Sequence, residues 1–324
     1  MAEWIYEEGI GENRAILVED GRIVEAAIEL PGGSRLGAVL PARLAEIHVP
    51  GRRGLARFEG GEALIEPLPA HLTQGQAIRI EITREPIPER GRPKLARART
   101  TEAPPRDAPP LAERVGAAAA PPPGHDPFEE AGWSELLEEA LSGEIAFRGG
   151  ALRMSLTPAM TLFDVDGALP PAALAAAGAE AAGRTIRRMD IGGSIGIDLP
   201  TLTGKAERQA AAAALDAVLP QPFERTGVNG FGFLQIVRRR SRASLAEIVQ
   251  ADPVGAAARA LLRQAERSSG AGGRTITAAP PIIARIEANP SWLDTLSRRI
   301  GMAVSLQADP GLAISAGHVH SRHA

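Results

Sequence analysis

The chain contains no cysteine. That excludes disulfides, cysteine-ligated zinc, iron–sulfur clusters and thiol catalysis, and it fits a cytoplasmic protein. Aromatic residues make up only 3% of the sequence, with a single tyrosine, so alanine, valine, isoleucine and leucine must do most of the packing. No apolar run approaches the roughly 18 residues of a membrane span, so none is expected. The N-terminal stretch MAEWIYEEGIGENR is polar and acidic; without a basic region followed by an apolar run, it does not read as a secretion signal. A net charge of −3 gives no general attraction to nucleic acid. The placement of charge matters more than its sum, however, and the arginines are clustered.

A 44% hydrophobic fraction over 324 residues is enough for two or three domains. Residues 1–30 alternate apolar and polar positions around a Glu-Asp-Gly turn, as in a small antiparallel meander. Short β-like runs separated by glycines continue through 31–99, and their spacing predicts a small barrel. Its last strand leads into Arg84, Arg90, Arg92, Lys94, Arg97 and Arg99. Residues 100–127 are rich in proline and alanine, a composition expected of a flexible linker. From 128 to 243 the pattern is a short helix, a hairpin around Gly149-Gly150, and then β-α-β-α-β. The strands are Met160–Asp164, Ser194–Asp198 and Phe231–Val237, and the helices cover about 171–189 and 203–218. Apolar strands alternating with amphipathic helices predict an α/β layer. A small α/β unit over 244–324 ends in the polar tail HVHSRHA.

Two of these strands end in aspartate, Asp164 and Asp198. Ligand sites in open α/β sheets lie beyond the carboxyl ends of strands, so the two carboxylates converge if the strands are neighbours. Hard oxygen ligands with open positions suit magnesium, which keeps several waters and engages substrate phosphates. Asp166 lies two residues on, facing the same way along an extended segment, as a third ligand or an orienting group. Aspartates at strand ends also start turns and cap helices, so the pattern alone leaves both readings open. The run Arg238-Arg239-Arg240-Ser241-Arg242 follows the third strand at the same expected edge, where it would track a phosphate backbone or form a solvated turn. Arg184, Arg187 and Arg188 fall late in the first helix, where the macrodipole by itself favours cations. Phe58, with Arg52, Arg53 and Arg57 nearby, would stack a base on the barrel or fill its core. His318, His320 and His323 have a metal-like spacing at a chain end where a disordered tail is the simpler reading.

Three segments carry a family resemblance. Thr157–Gly167 (TPAMTLFDVDG) resembles the first metal-ligand motif of the ribonuclease E/G endoribonucleases, and Arg187–Leu199 (RRMDIGGSIGIDL) resembles the second. Gly230–Leu245 (GFGFLQIVRRRSRASL) is similar to the stretch that follows their catalytic core. The likeness covers 143–245 well and 1–100 more loosely. It implies an N-terminal ribonuclease H-like segment interrupted by an OB-type RNA-binding barrel, then a deoxyribonuclease I-like catalytic core. It also implies magnesium at Asp164 and Asp198, and hydrolysis of single-stranded AU-rich RNA in RNA processing or decay. Arg187, Arg188, Arg238, Arg239, Arg240 and Arg242 would then position RNA phosphates, with Arg57 and Phe58 on the barrel. The small C-terminal domain would mediate self-association.

The departures from the family are specific. Asp166 stands where the family usually has asparagine. The Cys-x-x-Cys zinc link is absent, as is a second barrel aromatic, replaced by aliphatic residues near Leu64. The proline/alanine segment and one short helix occupy the space of the RNA 5′-end sensor. The resemblance is thus to a shortened member, either an active endoribonuclease or a non-catalytic RNA-binding or regulatory protein on the same scaffold.

Overall fold

The alternation near the N-terminus folds as a meander of β1 (Glu3–Glu8), β2 (Asn13–Glu19) and β3 (Arg22–Glu29), with β2 central and buried from Arg14 to Leu17. The computed structural model describes residues 2–89, 91, 93–116, 118–119, 126–270 and 272–321. Arg90, Arg92, His323 and residues 120–125 of the proline/alanine segment lie outside them.

Five strands close the barrel: β4 (Val39–Val49), β5 (Arg53–Phe58), β6 (Gly61–Ile65), β7 (Ala77–Arg84) and β8 (Ala96–Thr100), in the order β4-β5-β6-β8-β7. Small and aliphatic side chains such as Leu44, Ala56, Ile65, Ile80 and Ala98 fill it, as the scarcity of aromatics requires. The first part of the expected linker is packed rather than free. Arg106 pairs with Val39, Ala108 is buried, and Leu111 is fully buried at the start of α1 (Leu111–Val115). A few well-placed apolar residues are enough to anchor a proline-rich stretch. Beyond it, β9 (Ala118–Ala119) pairs parallel to β1.

The short helix expected after this segment is two helices, α2 (Pro127–Glu130) and α3 (Trp133–Ser142). Then come β10 (Glu144–Phe147), β11 (Gly150–Leu156), β12 (Thr161–Gly167), α4 (Pro171–Arg188), β13 (Gly193–Asp198), α5 (Lys205–Asp216), β14 (Phe223–Arg225) and β15 (Phe233–Arg238). The six strands form one sheet in the order β10-β11-β12-β13-β15-β14. Only β12 and β13 pair in parallel. The crossover through α5 delivers the three-residue β14, and the hairpin that follows inserts β15 antiparallel between β14 and β13. The third strand therefore runs opposite to a simple β-α-β-α-β succession.

One face of this sheet is buried. Leu152, Phe163, Val165, Ile195, Ile197, Leu234 and Ile236 share a core with α3, α4 and α5, and Ile16, Ile23 and Ala26 of the meander belong to that same core. On the opposite face, Glu144, Arg153, Ser155, Asp164, Asp166 and Asp198 are exposed. The apolar/polar alternation along each strand produces this division.

The C-terminal unit comprises α6 (Leu245–Ala251), α7 (Pro253–Arg267), β16 (Arg274–Ala278), α8 (Pro280–Glu287), α9 (Pro290–Ile300), β17 (Val304–Ala308) and β18 (His318–Ser321). The polar tail is not free here: His318–Ser321 pairs antiparallel with β16, which is buried between β17 and β18. No helix among the described residues is long and apolar enough to cross a membrane. The chain is thus a mixed α/β protein with a closed five-stranded barrel in its N-terminal part and three further sheets.

Candidate active site

The register sets Asp164 directly beside Asp198 across the parallel β12–β13 pair. Neighbouring strands lie about 4.8 Å apart, so the two carboxylates are close. Both side chains are exposed, and neither has a hydrogen-bond or ion-pair partner among the described residues. Like charges directly opposite one another on a sheet are destabilising, and at about 4 Å the repulsion is about 1 kcal/mol even in water. A cation between them would relieve it.

Asp166 shares the face with Asp164 but points to a different partner. Arg153 of β11, directly opposite Asp164 in register, approaches Asp166 at 3.7 Å and Glu144 at 3.6 Å. No three histidine, aspartate or glutamate side chains gather as a metal cluster among the described residues. Arg153 is a cation beside Asp164 and Asp166 that motif reading passes over. Its only signal in the sequence is an outward-facing position in an alternating strand.

On the other side of Asp198 stands Phe233, its register partner on β15. The Phe233 ring covers Gly196: a Cβ at that glycine would lie 2.5 Å from the ring. A larger residue would push the ring off the sheet next to the aspartates. Beyond Phe233, the turn into β15 exposes Phe231, at 84% the most exposed of the large apolar side chains.

The arginine run lies elsewhere. Because β15 is antiparallel to β13, Arg238 pairs with Gly193 at the opposite end of β13 from Asp198. Five residues of strand separate the two positions, about 17 Å. Strand direction, which periodicity does not reveal, overturns the expectation of a shared edge. At that far edge the arginines are engaged by the protein itself. Arg238 donates to Asp190 at 3.0 Å and to the Ile191 carbonyl at 3.1 Å. Arg240 is paired with Glu247 and approaches Glu89 at 3.4 Å. Arg242 is half-buried in a small cleft with Trp4, Arg114 and Arg187. Arg187 donates to Glu25 at 3.0 Å and to Glu19 at 3.2 Å, holding α4 to the meander; burial works against its charge, but these two bonds prevail and raise its pKa. Arg188 pairs with Glu139 of α3. Arg239 alone of this group is exposed with no ion pair among the described residues.

On the barrel, Phe58 is half-buried against the core, its ring folded over Gly61. Arg57 remains exposed but is bonded to Glu62 at 2.7 Å, which raises its pKa. Nearby, Glu66 accepts a hydrogen bond from Arg53 at 3.0 Å, with Arg97 and Arg52 adding to the positive surroundings. That bond and those charges outweigh desolvation and hold its carboxyl below the ordinary range. His318 and His320 lie on β18, ring centroids 6.0 Å apart, in no metal cluster among the described residues.

The chain matches no known family model and no curated protein.

Proposed function

We propose that this protein is a magnesium-dependent endoribonuclease acting on single-stranded RNA, with a shortened ribonuclease E/G-like organisation: an OB-type barrel followed by a deoxyribonuclease I-like catalytic layer. One observation carries the reading: Asp164 and Asp198 side by side, exposed and without an ion-pair partner among the described residues. The donor set fits the ion. Magnesium is commonly held by one or two carboxylates together with waters and substrate phosphates, not by a closed protein cage. Asp164 and Asp198 would hold it. When bound, such an ion lowers the pKa of a coordinated water and offsets charge on the phosphate. The protein's own groups orient the substrate: Arg153 supplies a cation on the same face, and the uncovered sheet leaves room for an extended strand. Asp166, held by Arg153, positions that arginine rather than binding the ion.

The test is incubation of an end-labelled, unstructured AU-rich RNA with wild type, Asp164→Ala and Asp198→Ala, in magnesium and in chelator. Cleavage in magnesium only, lost by more than about 100-fold in both variants, is expected; loss of mere outer support at a metal site costs about 10- to 100-fold. Binding without cleavage by all three proteins would instead favour a non-catalytic RNA-binding protein. Wild type that neither binds nor cuts refutes both.

A further inference from the structure

Phe231 is held out in solvent by a turn built to hold it. The Asn229 side-chain oxygen accepts hydrogen bonds from the backbone N–H of Phe231 at 2.9 Å and of Phe233 at 3.0 Å. The backbone of Asn229 closes the same turn, bonding Phe233 and Gly232. Gly232 has a φ of +93°, and a Cβ there would stand 2.1 Å from the Leu199 carbonyl oxygen, so only glycine fits. In return, Leu199 N–H donates to the Gly232 carbonyl at 3.2 Å. Leu199 is the residue after Asp198. The turn carrying the exposed ring is thereby tied to the strand end carrying one of the paired aspartates.

A large apolar ring 84% exposed in a rigid turn gains nothing from the fold. Its surroundings select the partner. The turn is bonded to the residue that follows Asp198, whose exposed carboxylate is unpaired beside that of Asp164, so a ligand that is both flat and phosphate-bearing fits this edge better than an apolar peptide. We infer that Phe231 is a stacking platform for one nucleobase of the RNA, next to the phosphate that a magnesium ion held by Asp164 and Asp198 would engage. This rests on the nuclease reading above. Base–aromatic stacking tolerates any base, so the contact would fix the strand's path without setting its sequence.

The experiment uses the full chain with a fluorescent oligouridylate in chelator, where no cleavage occurs, and then cleavage kinetics in magnesium. Phe231→Leu keeps the bulk and removes the aromatic face; it is expected to weaken RNA affinity about 5- to 150-fold, with unchanged urea unfolding. Phe231→Trp should retain affinity and add a tryptophan signal quenched by the oligonucleotide, measured against the wild-type background. Any of these results overturns the inference: Phe231→Leu binding as tightly as wild type, no added quenching in Phe231→Trp, or a change in self-association on sedimentation with RNA affinity intact. Magnesium-dependent cleavage indifferent to Phe231→Leu removes the stacking role and leaves the nuclease reading standing. Wild type without RNA binding or cleavage removes both.

Discussion

Replacing Glu12 with glutamine should destabilise the protein severely, although Glu12 is nowhere near the aspartates. Glu12 is 4% exposed and receives a 2.6 Å hydrogen bond from Arg259 of α7, itself 5% exposed. Arg14, at 1% exposure, approaches Glu12 at 3.6 Å and Glu7 at 3.3 Å. Glu7 in turn meets Arg263 at 3.4 Å and Arg267 at 2.6 Å. Arg263 also pairs with Asp126 and Glu129 and lies over the Phe128 ring. This buried network joins the N-terminal meander to α2 and to the C-terminal helix. Burial pushes the Arg14 pKa down, and the neighbouring glutamates oppose that shift. Neutralising Glu12 leaves Arg259 desolvated without its counter-charge, a change that costs about 3–5 kcal/mol. Against a usual total of about 5–15 kcal/mol, that is a large share. The loss should appear in urea unfolding and as faster hydrogen exchange of β1, β2 and α7 amides. It should persist in high salt, because buried pairs are poorly screened. The double variant Glu12→Leu/Arg259→Leu should recover much of the loss, since Arg259 no longer lies buried without a counter-charge and Arg14 keeps Glu7. A loss below about 1 kcal/mol in Glu12→Gln, or a double variant no better than the single, would refute the reasoning.

Gly232→Ala should lower stability by at least about 1–3 kcal/mol, from the positive φ alone, and displace the turn that carries Phe231; thermal melts and the RNA affinity would report both. Asp252 should govern part of the acid limb of stability. Burial raises its pKa, but hydrogen bonds from Arg285 and Gly255 N–H and the charges of Arg285 and Arg259 outweigh that and hold it below the ordinary value. A depressed folded pKa contributes stability that is present above the unfolded pKa of about 3.9 and lost as pH falls through the folded value. Asp252→Asn should therefore be less stable than wild type at pH 7, with the gap closing below about pH 4; a constant gap across that range would contradict the assignment.

Much of the candidate site was legible in local sequence. Strand periodicity and a terminal aspartate on each of two strands separated by one helix were enough to expect Asp164 and Asp198 at a common edge, because a helical crossover returns a parallel strand to the sheet. Composition likewise foretold a barrel packed with aliphatic residues. Phe231 lay within a motif, but whether its ring is exposed depends on the Asn229 and Gly232 contacts. Arg153 carried no signal beyond the alternation of its strand.

What the sequence determined by itself is therefore local: most of the elements, their buried and open faces, and the carboxylates on the open face of β12 and β13; Asp198 ends its strand as expected, whereas Asp164 falls mid-strand because β12 runs on to Gly167. Tertiary structure alone decided where the arginines act. The direction of β15 sends Arg238 to the far end of β13, and glutamates distant in the chain, Glu25, Glu139 and Glu89, engage Arg187, Arg188 and Arg240. It alone turned Glu7, Glu12 and Arg14 from apparent surface charges into a buried network spanning the chain. The physical reason is the same in both cases. Periodicity records which face of an element avoids water, whereas strand direction and the partner of a buried charge are set by segments tens to hundreds of residues away, as for Arg238 beside Gly193 and Arg259 on Glu12.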